Sequence, residues 1–441
     1  DTFTSRASNA TYVDSAGLVK TSPLNLALYS EDFANAGWTK NTLSVGSETI
    51  PAPIGNGVAQ KLVLSTTNSE QRLLQSYTAD NTVTTTSVYV KSAGVRYVHF
   101  RVGASTSNYG HGFDLQEGIA INGHYGGGST IMNADSHSIE DVGDGWYRIS
   151  VTGNNGSGTR YFLPAISNSA TTSISSGDGT SGVYFWGFQH VKGTEAGDYV
   201  KTTSTAKSEP RYSHDPETLT PTGLYLEPAA TNVWLSANLN HNRSSTYTNN
   251  IPHGYTYNLR ITPNATTAPD GTETAALVVP REDVSANSNY WFQRNHGQNL
   301  STFSVFLKYN GWRYVSVRNG HSGNGTLLVD LLNGTIVGVD SNTVVGAYKI
   351  EAYPNGWYRV SSTLAAANNG WSSLVFFENA NIPSNNTVPT HSSMPDGVSG
   401  VYVWGLQVEA TRHASSVIIT NGIAVTRAAD VYTSTPNLTE T

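Results

Sequence analysis

Aromatic and basic side chains alternate with aliphatic ones in residues 87–91 and 96–102 of this chain, and again in residues 304–308 and 312–318. Because successive side chains of a strand point to opposite faces, each stretch presents an aliphatic face and an aromatic, cationic face. A flat aromatic ring can stack on the C–H face of a sugar, while neighbouring polar groups bond its hydroxyls. Lysine and arginine would further favour carboxylated or sulfated glycans. The pattern therefore predicts a carbohydrate-binding surface on a sheet.

The candidate ligand contacts are the aromatic and cationic members of these faces. Further candidates are tryptophans that occur only in the second half of the chain, together with the aromatic and basic residues beside them. The candidates are Tyr89, Tyr97, His99, Arg101, Tyr290, Trp291, Arg294, Trp312, Tyr314, Arg318 and Trp371. An alternative interpretation stays open, because tyrosine and arginine also suit an ordinary solvated strand surface on which cations stack.

The sequence carries no recognisable catalytic machinery. Glycoside hydrolysis requires two positioned carboxylates, but the matched acidic pairs Asp114/Asp330 and Glu140/Glu351 lie beside predicted turns. No G-x-S-x-G, H-E-x-x-H or P-loop pattern occurs. The chain has no cysteine, and its 12 histidines show no metal-ligand spacing. We predict a protein that is not an enzyme and needs no cofactor, while a structural calcium ion held by loop oxygens stays open.

An internal repeat organises these residues. The stretch 87–91 recurs at 304–308, and the Gly-Trp-Tyr-Arg motif at 145–148 recurs at 356–359. A longer motif, Ser-Gly-Val-Tyr-x-Trp-Gly-x-Gln, recurs in the same order further along. Such ordered matches indicate two homologous domains. The tryptophans that both copies share are expected to pack in the scaffold, and they are Trp146, Trp186, Trp357 and Trp404.

Short alternating segments separated by Gly, Asn and Ser turns predict an all-β protein. Each repeat is long enough for a jelly roll of about eight or more strands. We therefore predict two homologous jelly-roll β-sandwich domains in tandem plus a small β linking element. The predicted divisions are a linking segment (1–24), jelly roll one (25–206), a second linking segment pairing with the N-terminus (207–231), jelly roll two (232–428) and a C-terminal tail (429–441).

Composition excludes several classes of protein. The 441 residues carry a net charge of −7, only 13% are charged, and 10% are aromatic. Abundant aromatic residues and modest charge argue against a disordered chain. Mild acidity without basic clusters argues against nucleic-acid binding. No stretch of about 18 apolar residues is present to insert into a membrane.

Four segments resemble bacteriophage virion proteins of the tail-fibre and head-fibre kind. They are residues 7–18, 210–216, 223–232 and 424–431. The repeats themselves are similar to carbohydrate-binding modules of the galactose-binding-like jelly-roll type. In the virion proteins the first of these segments runs almost directly into the second, whereas here residues 25–206 intervene. This departure predicts that one jelly roll was inserted into a linking element, so that residues 1–24 and 208–231 lie together.

The resemblance implies a non-catalytic component of the virion surface whose jelly rolls bind a host polysaccharide such as capsule or O-antigen. Its expected partners are bacterial surface polysaccharide and other virion proteins, and a homo-oligomer such as a trimer would add avidity. Two alternatives remain open at this point. One is a purely structural decoration or adaptor protein, and the other is the carbohydrate-binding part of a polysaccharide-degrading enzyme.

Overall fold

The structure, a computed structural model, describes residues 2–104, 107–121, 130–133, 136–239, 243–250, 254–285, 287–296, 302–319, 326–339, 343–364, 370–382, 389–392 and 394–433. Their regular secondary structure is almost entirely β-strand, which confirms the predicted all-β class. Contacts divide the chain into two units. The first unit comprises Ser5–Asn9 and Ser22–Glu209, and the second comprises Asp1–Thr4, Ala10–Thr21 and Pro210–Thr441.

The strands follow one another in chain order. Those of the N-terminal segment are β1 (Thr2–Ser5), β2 (Ala10–Val13), β3 (Val19–Ser22) and β4 (Leu24–Asn25). Those of the first jelly roll are β5 (Thr39–Asn41), β6 (Leu43–Pro51), β7 (Val58–Leu64), β8 (Ser69–Glu70), β9 (Arg72–Asp80), β10 (Val83–Ala93), β11 (Tyr97–Gly103), β12 (Ser107–Asp114), β13 (Ile119–Ile121), β14 (Thr130–Asn133), β15 (Ser136–Gly143), β16 (Trp146–Asn154), β17 (Ser157–Ser167), β18 (Ile174–Ser175) and β19 (Gly182–Lys192).

The linking strands are β20 (Lys207–Ser208), β21 (Tyr212–His214), β22 (Pro221–Leu224) and β23 (Ala230–Asn232). Those of the second jelly roll and tail are β24 (Arg243–Asn250), β25 (Gly254–Thr266), β26 (Ala275–Pro280), β27 (Trp291–Asn295), β28 (Thr302–Asn310), β29 (Tyr314–Asn319), β30 (Thr326–Asp330), β31 (Thr335–Val339), β32 (Thr343–Tyr353), β33 (Trp357–Leu364), β34 (Trp371–Phe377), β35 (Gly400–Glu409), β36 (Val425–Arg427) and β37 (Val431–Thr433). Among the described residues one 3-10 turn occurs, Pro354–Gly356, and it joins β32 to β33.

The first unit is a sandwich of two main sheets. One sheet has the order β15-β16-β10-β19-β7-β6, and the other has the order β13-β12-β11-β17-β9-β5, with β14 added beside β12. Alternation turns the aliphatic side chains of both sheets inward. Val88 and Ile149 from one sheet share a core cluster with Val98, Phe100 and Phe162 from the other. The aliphatic face predicted from the sequence therefore packs between the sheets.

The second unit repeats this sandwich, but its two layers are joined into one ladder ordered β31-β30-β29-β34-β27-β25-β26-β35-β28-β33-β32. The long strand β25 serves both layers. Its residues 255–257 pair with β27, and from Leu259 onward it pairs with β26. Asn258 stands at the change, with a φ of 56°, a conformation that asparagine tolerates better than most residues. Its side-chain amide donates to the Asn289 carbonyl over 3.0 Å, which fixes the corner.

The topology corrects one expectation about the binding surface. The sequence pattern placed Tyr89 on the same face as Tyr97. In the structure β10 and β11 belong to different sheets, so the outer side chains of the two strands point away from each other across the sandwich. In the second unit β28 and β29 belong to one continuous sheet, but they lie in its two opposite layers, which pack around a shared core. A binding surface on the face of a sheet must therefore be built from one layer alone.

The two linking segments were expected to lie together, and they contact each other within both of the units between which they divide. Within the first unit, β4 pairs with β20, and the Arg6 amide donates to Ser208 Oγ over 3.0 Å. Within the second unit, Arg211 donates to the Thr11 carbonyl over 2.7 Å. There β2 pairs with β3 and β21 pairs with β22, so the two segments meet through side chains. Of the tail, β37 pairs with β1, and residues 434–441 lie outside the described residues.

Candidate functional site

One sheet surface of the second unit carries an unusual number of aromatic rings. It is the outer surface of the layer formed by β25, β27, β34, β29 and β30. Residues that pair directly across antiparallel strands point to the same side, and pairing places five half-buried rings on this side. We call this surface the aromatic face, and its rings are those of Tyr255, Tyr257, Trp291, Tyr314 and Trp371.

Four of these rings form two pairs. Tyr257 stacks on Trp291 with ring centroids 5.4 Å apart and an angle of 6° between the planes. Tyr255 and Trp371 lie 5.6 Å apart at 39°. The strands that carry this second pair are separated by β27, a distance of about 9.6 Å for two strand spacings. Both rings must therefore lean toward each other across β27, where Gln293 pairs with Tyr255 and Asn295 pairs with Trp371.

The rings rest on a buried floor. Leu328, Val375 and Phe377 form a small apolar cluster with Trp291 and Tyr314, and Ile382 packs on it. Ile382 lies beside Gly338 and so covers the β31 edge of this cluster, while the five rings stay half-buried.

Polar groups are set into the same floor. Arg318 is only 2% exposed and lies with its guanidinium 5.8 Å from the centre of the Phe377 ring. Ser373 pairs with both Arg318 and Gln293, so a polar row crosses the centre of the face. The face thus combines flat rings with hydrogen-bonding groups.

The end of the face near Tyr314 is fixed by an ion pair. Arg313 donates to both oxygens of Asp330, over 2.9 Å and 2.7 Å, and its guanidinium stacks 5.0 Å from the Tyr314 ring. This bidentate hydrogen bonding lowers the pKa of Asp330. Among the described outward positions of the five strands, Asp330 is the one carboxylate. It stands at a turn, as the sequence predicted, and holds the Leu332 amide.

Three candidates near this layer lie on its core side. Tyr290 is 1% exposed and belongs to the main core, where it meets His391 edge-on. Trp312 is half-buried, packs against Phe376 and His391, and donates its indole N–H to the Phe377 carbonyl. The expectation that Tyr290 presents its ring to a ligand is therefore corrected, because this ring is buried in the core. Trp312 packs at the edge of the core but is half-buried, so its contact with a ligand stays a prediction.

Arg294 is the third candidate on the core side. It is 8% exposed, and burial lowers its pKa to about 10. Among the described residues, its Nε and Nη1 have no hydrogen-bond partner. Its neighbours in the strand pairing are inward-pointing, so it does not reach the aromatic face.

The matching surface of the first unit is closed. Arg101 is 2% exposed, and it shares the Glu70 carboxylate with Arg72. His99 is fully buried and donates from Nε2 to the Ser169 carbonyl over 2.9 Å. Burial lowers the pKa of His99 to about 4, so the ring is neutral at pH 7. The expectation that Arg101 and His99 face solvent is therefore corrected, because both side chains are buried. Tyr97, the third candidate on this surface, is half-buried.

Tyr89 lies on the other sheet of the first unit, in a second small cluster. Ala59, Trp146, Tyr184 and Trp186 surround it, and it is 5% exposed. The second unit has the corresponding cluster around Trp357 and Trp404. The four shared tryptophans are thus scaffold, as predicted, and Tyr89 belongs with them.

Tyr255, Tyr257 and Gln293 contribute to the aromatic face and were missed from the sequence. The signal was present, since Tyr255 and Tyr257 have the two-residue spacing of a strand face. It was overlooked because β25 has no counterpart motif among the repeat matches, and because the pairing of β25 with β27 joins residues far apart in the chain.

Comparisons with known proteins identify distant structural likenesses. No family model and no curated protein sequence matches the chain. The tandem CBM22-1–CBM22-2 domains of Paenibacillus barcinonensis Xyn10C align with 88% of this chain and 98% of their own, at 12% identity and a TM-score of 0.26. The CBM22-1 xylan-binding domain of the same protein aligns with 39% of this chain and 97% of its own, at 16% identity and a TM-score of 0.24. At these values the likenesses carry no functional argument.

The described residues contain neither a helix that could span a membrane nor a cluster of metal ligands. None of their helices is both long and apolar enough to cross a membrane. They also contain no cluster of three or more His, Cys, Asp or Glu side chains arranged to hold a metal ion.

Proposed function

We propose that this protein is a non-catalytic carbohydrate-binding protein whose aromatic face binds a polysaccharide. The proposal depends on two pairs of aromatic rings, Tyr257 with Trp291 and Tyr255 with Trp371. The polar Gln293 lies beside them in the same sheet. Flat rings suit the C–H faces of successive sugars, and the amide suits their hydroxyls. A surface of this kind binds a chain lengthwise, one sugar to each ring platform.

The electrostatics of the face favour a neutral glycan. Arg313 is bound to Asp330, and Arg318 is buried beneath the rings. A buried or paired guanidinium offers little to an acidic sugar, so the carboxylated ligands expected from the sequence are less favoured than neutral ones. A hydrolytic role would need a second carboxylate beside the bound sugar, and the carboxylate of this face, Asp330, is occupied by Arg313.

The biological setting we propose is the surface of a phage particle, where the protein would attach to host polysaccharide. This part rests on the resemblance of residues 7–18, 210–216, 223–232 and 424–431 to virion proteins. Mass spectrometry of purified particles, with immunogold labelling of intact ones, tests it. Absence of the protein from particles would remove the virion setting and leave the carbohydrate-binding activity to be judged by itself.

The binding activity is tested with an array of neutral and anionic bacterial, algal and plant polysaccharides, followed by titration of the best binder. The key variant is Trp371→Ala. Its matched control is Tyr161→Ala, because Tyr161 holds the same position in the first unit as Trp371 in the second. We expect selective binding by the wild type and the control, and weakened binding by Trp371→Ala. Equal affinity of all three proteins would place the binding surface elsewhere.

Exposed rings also suit a protein interface. Binding of no glycan by a folded protein, together with its incorporation into particles, would favour the structural alternative.

A further inference from the structure

The second unit contains a cavity of about 650 Å³ that lies away from the aromatic face. Its floor is the outer surface of β32 and β33, in the opposite layer of the sandwich. Its walls are the linking strands β2, β21 and β22 and the segment 413–417. This volume falls within the range of small-molecule sites, roughly 300–1,000 Å³. We call it the linker groove.

The walls of the linker groove are held in place by buried ion pairs. Arg211, whose side chain is fully buried, pairs with Glu227 at 2.8 Å and with Asp430 at 2.5 Å. The same guanidinium donates to the Thr11 carbonyl of β2, and Glu227 accepts from the Ser416 amide over 2.7 Å. The linking segments are therefore fastened to the jelly roll, and the space between them is a preformed feature of this unit.

The repeat itself does not explain the groove. Arg359 on the floor donates to the Ser415 carbonyl over 2.6 Å, as Arg148 of the first unit donates to the Gly197 carbonyl over 2.8 Å. This arginine is thus part of the scaffold that both units share. The linking strands that form the walls belong to no part of the repeat, so the groove is an addition to the second unit.

The lining is made of hydroxyl groups and tyrosine rings. Ser361 and Thr363 lie on the floor, and Tyr12 and Tyr225 belong to the walls. Tyr353 closes one side and meets Phe306 edge-on at 4.9 Å. Hydroxyls can both donate and accept, which matches the hydroxyls of a sugar.

The charges of the groove nearly cancel. Lys349 pairs with Glu351 at 2.6 Å. The lining also contains one further carboxylate, Asp215 in the wall, and one further cation, Arg359 on the floor. Arg359 is 8% exposed, and its Nε has no hydrogen-bond partner among the described residues. Because two cations and two carboxylates in the lining offset one another, the groove offers no net positive charge to attract a phosphate or an acidic sugar, and a neutral ligand suits it better.

We infer that the linker groove is a second binding site, which takes a neutral oligosaccharide. The inference rests on the cavity and its lining and holds whether or not the aromatic face binds a glycan. The two sites lie on opposite layers of the same sandwich, so a substitution in one leaves the other intact.

The blocking variant is Ser361→Trp, because the new indole would fill space that is already empty. The matched control is Ser150→Trp. Ser150 pairs with Ser87 in the first unit as Ser361 pairs with Ser304 in the second. Isothermal titration with cellohexaose, xylohexaose and maltohexaose, all of them neutral, measures the number of sites and their affinity. The double variant Trp291→Ala/Trp371→Ala isolates the groove from the aromatic face.

We expect the double variant to keep one binding event and Ser361→Trp to lose that event, with an affinity loss on the order of tenfold or more. Hydrogen exchange on the wild type supplies a readout that needs no variant, with protection of residues 10–19 and 212–225 by the bound hexasaccharide. Unchanged binding by Ser361→Trp, or absence of that protection at saturation, would overturn the inference. Failure of the double variant to bind any of the three probes would also overturn the inference. If instead the wild type shows binding in the groove but none at the aromatic face, only the proposed function is overturned.

Discussion

The two jelly rolls place different chemistry at the same positions of the same sheet. Register pairs Arg72 with Ala165 in the first unit and Trp291 with Val375 in the second, so Arg72 and Trp291 are equivalent. The first unit closes this surface with the Glu70 carboxylate between two arginines. The second unit has Asn289 at the position of Glu70, and aromatic rings cover the surface. One copy has buried its face, and the other has kept rings at the surface.

The scaffold around these faces is nearly unchanged. Asn25 donates to the Phe188 and Val200 carbonyls, and Asn232 donates to the Leu406 and Ile418 carbonyls. Gln189 and Gln407 also play the same role in their own units. The side-chain oxygen of Gln189 accepts from the Val200 amide, and that of Gln407 accepts from the Ile418 amide. Since the framework is shared and the face is not, the outer surface of this layer is where the chemistry of the two copies differs.

The largest effect is expected for Glu70→Ala in the first unit. Removing this carboxylate takes the shared ion-pair partner from the buried Arg101, and breaking a buried pair costs about 3–5 kcal/mol. Hydrogen exchange of first-unit peptides in increasing urea measures the loss. Asn289→Ala, the equivalent change in the second unit, should cost much less. A Glu70→Ala protein as stable as the wild type would show that the closed surface does not depend on this cluster.

Acid should weaken the first unit more than the second. Burial lowers the pKa of His99 to about 4 and that of His190 to about 3, whereas the unfolded value is about 6.5. The unfolded chain therefore binds protons that the folded chain does not, and stability falls as pH drops below about 6.5. Each histidine contributes a slope of about 1.4 kcal/mol per pH unit, down to its folded pKa. The second unit has Ser316 and Val408 at these positions.

Exchange rates of peptides from both units, followed from pH 7 to pH 4.5, measure this difference. His99→Gln combined with His190→Phe should flatten the dependence of the first unit. Parallel curves for the two units in the wild type would contradict the assignment of the histidines as the cause.

Removing one ring of the aromatic face should weaken glycan binding by about 1–3 kcal/mol, judging by bases stacked on aromatic side chains. Trp291→Ala tests this value, because Trp291 stacks on Tyr257 and belongs to the face. Arg72→Ala, its counterpart, should leave the affinity unchanged. Titration with the best binder from the array gives both numbers, and equal losses from the two variants would remove the distinction between the units.

The smallest effect is expected at the corner of β25. Asn258→Gly keeps the positive φ and loses the 3.0 Å bond to the Asn289 carbonyl, at a cost of about 1 kcal/mol. Asn258→Val should cost more, because a β-branched residue is strained at this φ. Urea denaturation of both variants checks the order. A valine variant as stable as the glycine variant would mean that the corner relaxes.

Much of the scaffold could be predicted from the sequence. The repeat identified two domains, alternation gave the core-facing valines, and the shared tryptophans were assigned to the scaffold correctly. Asp114 and Asp330 were expected at turns, where each now accepts from an arginine. These features depend on neighbours close in sequence, or on the comparison of one copy with the other.

The site was harder to predict, because it depends on which strands become neighbours. The alternation of side chains along a strand does not reveal that β10 and β11 belong to different sheets, so Tyr89 was grouped with Tyr97. Nor can it show that Glu70 and the loop at Ser169 bury Arg101 and His99. Tyr257 meets Trp291 only because β25 crosses between the layers. The proposed roles of Trp291, Tyr314 and Trp371 stay predictions for experiment.

The most direct test is to map the bound ligand on the intact chain by hydrogen exchange, using a neutral hexasaccharide selected from the array. We expect ligand-dependent protection of residues 255–257, 291–295 and 371–377 in the second unit. We expect no change in residues 72–80 or 97–103, the equivalent strands of the first unit. Protection confined to the first unit, or spread equally over both, would contradict the claim that the aromatic face is the binding surface.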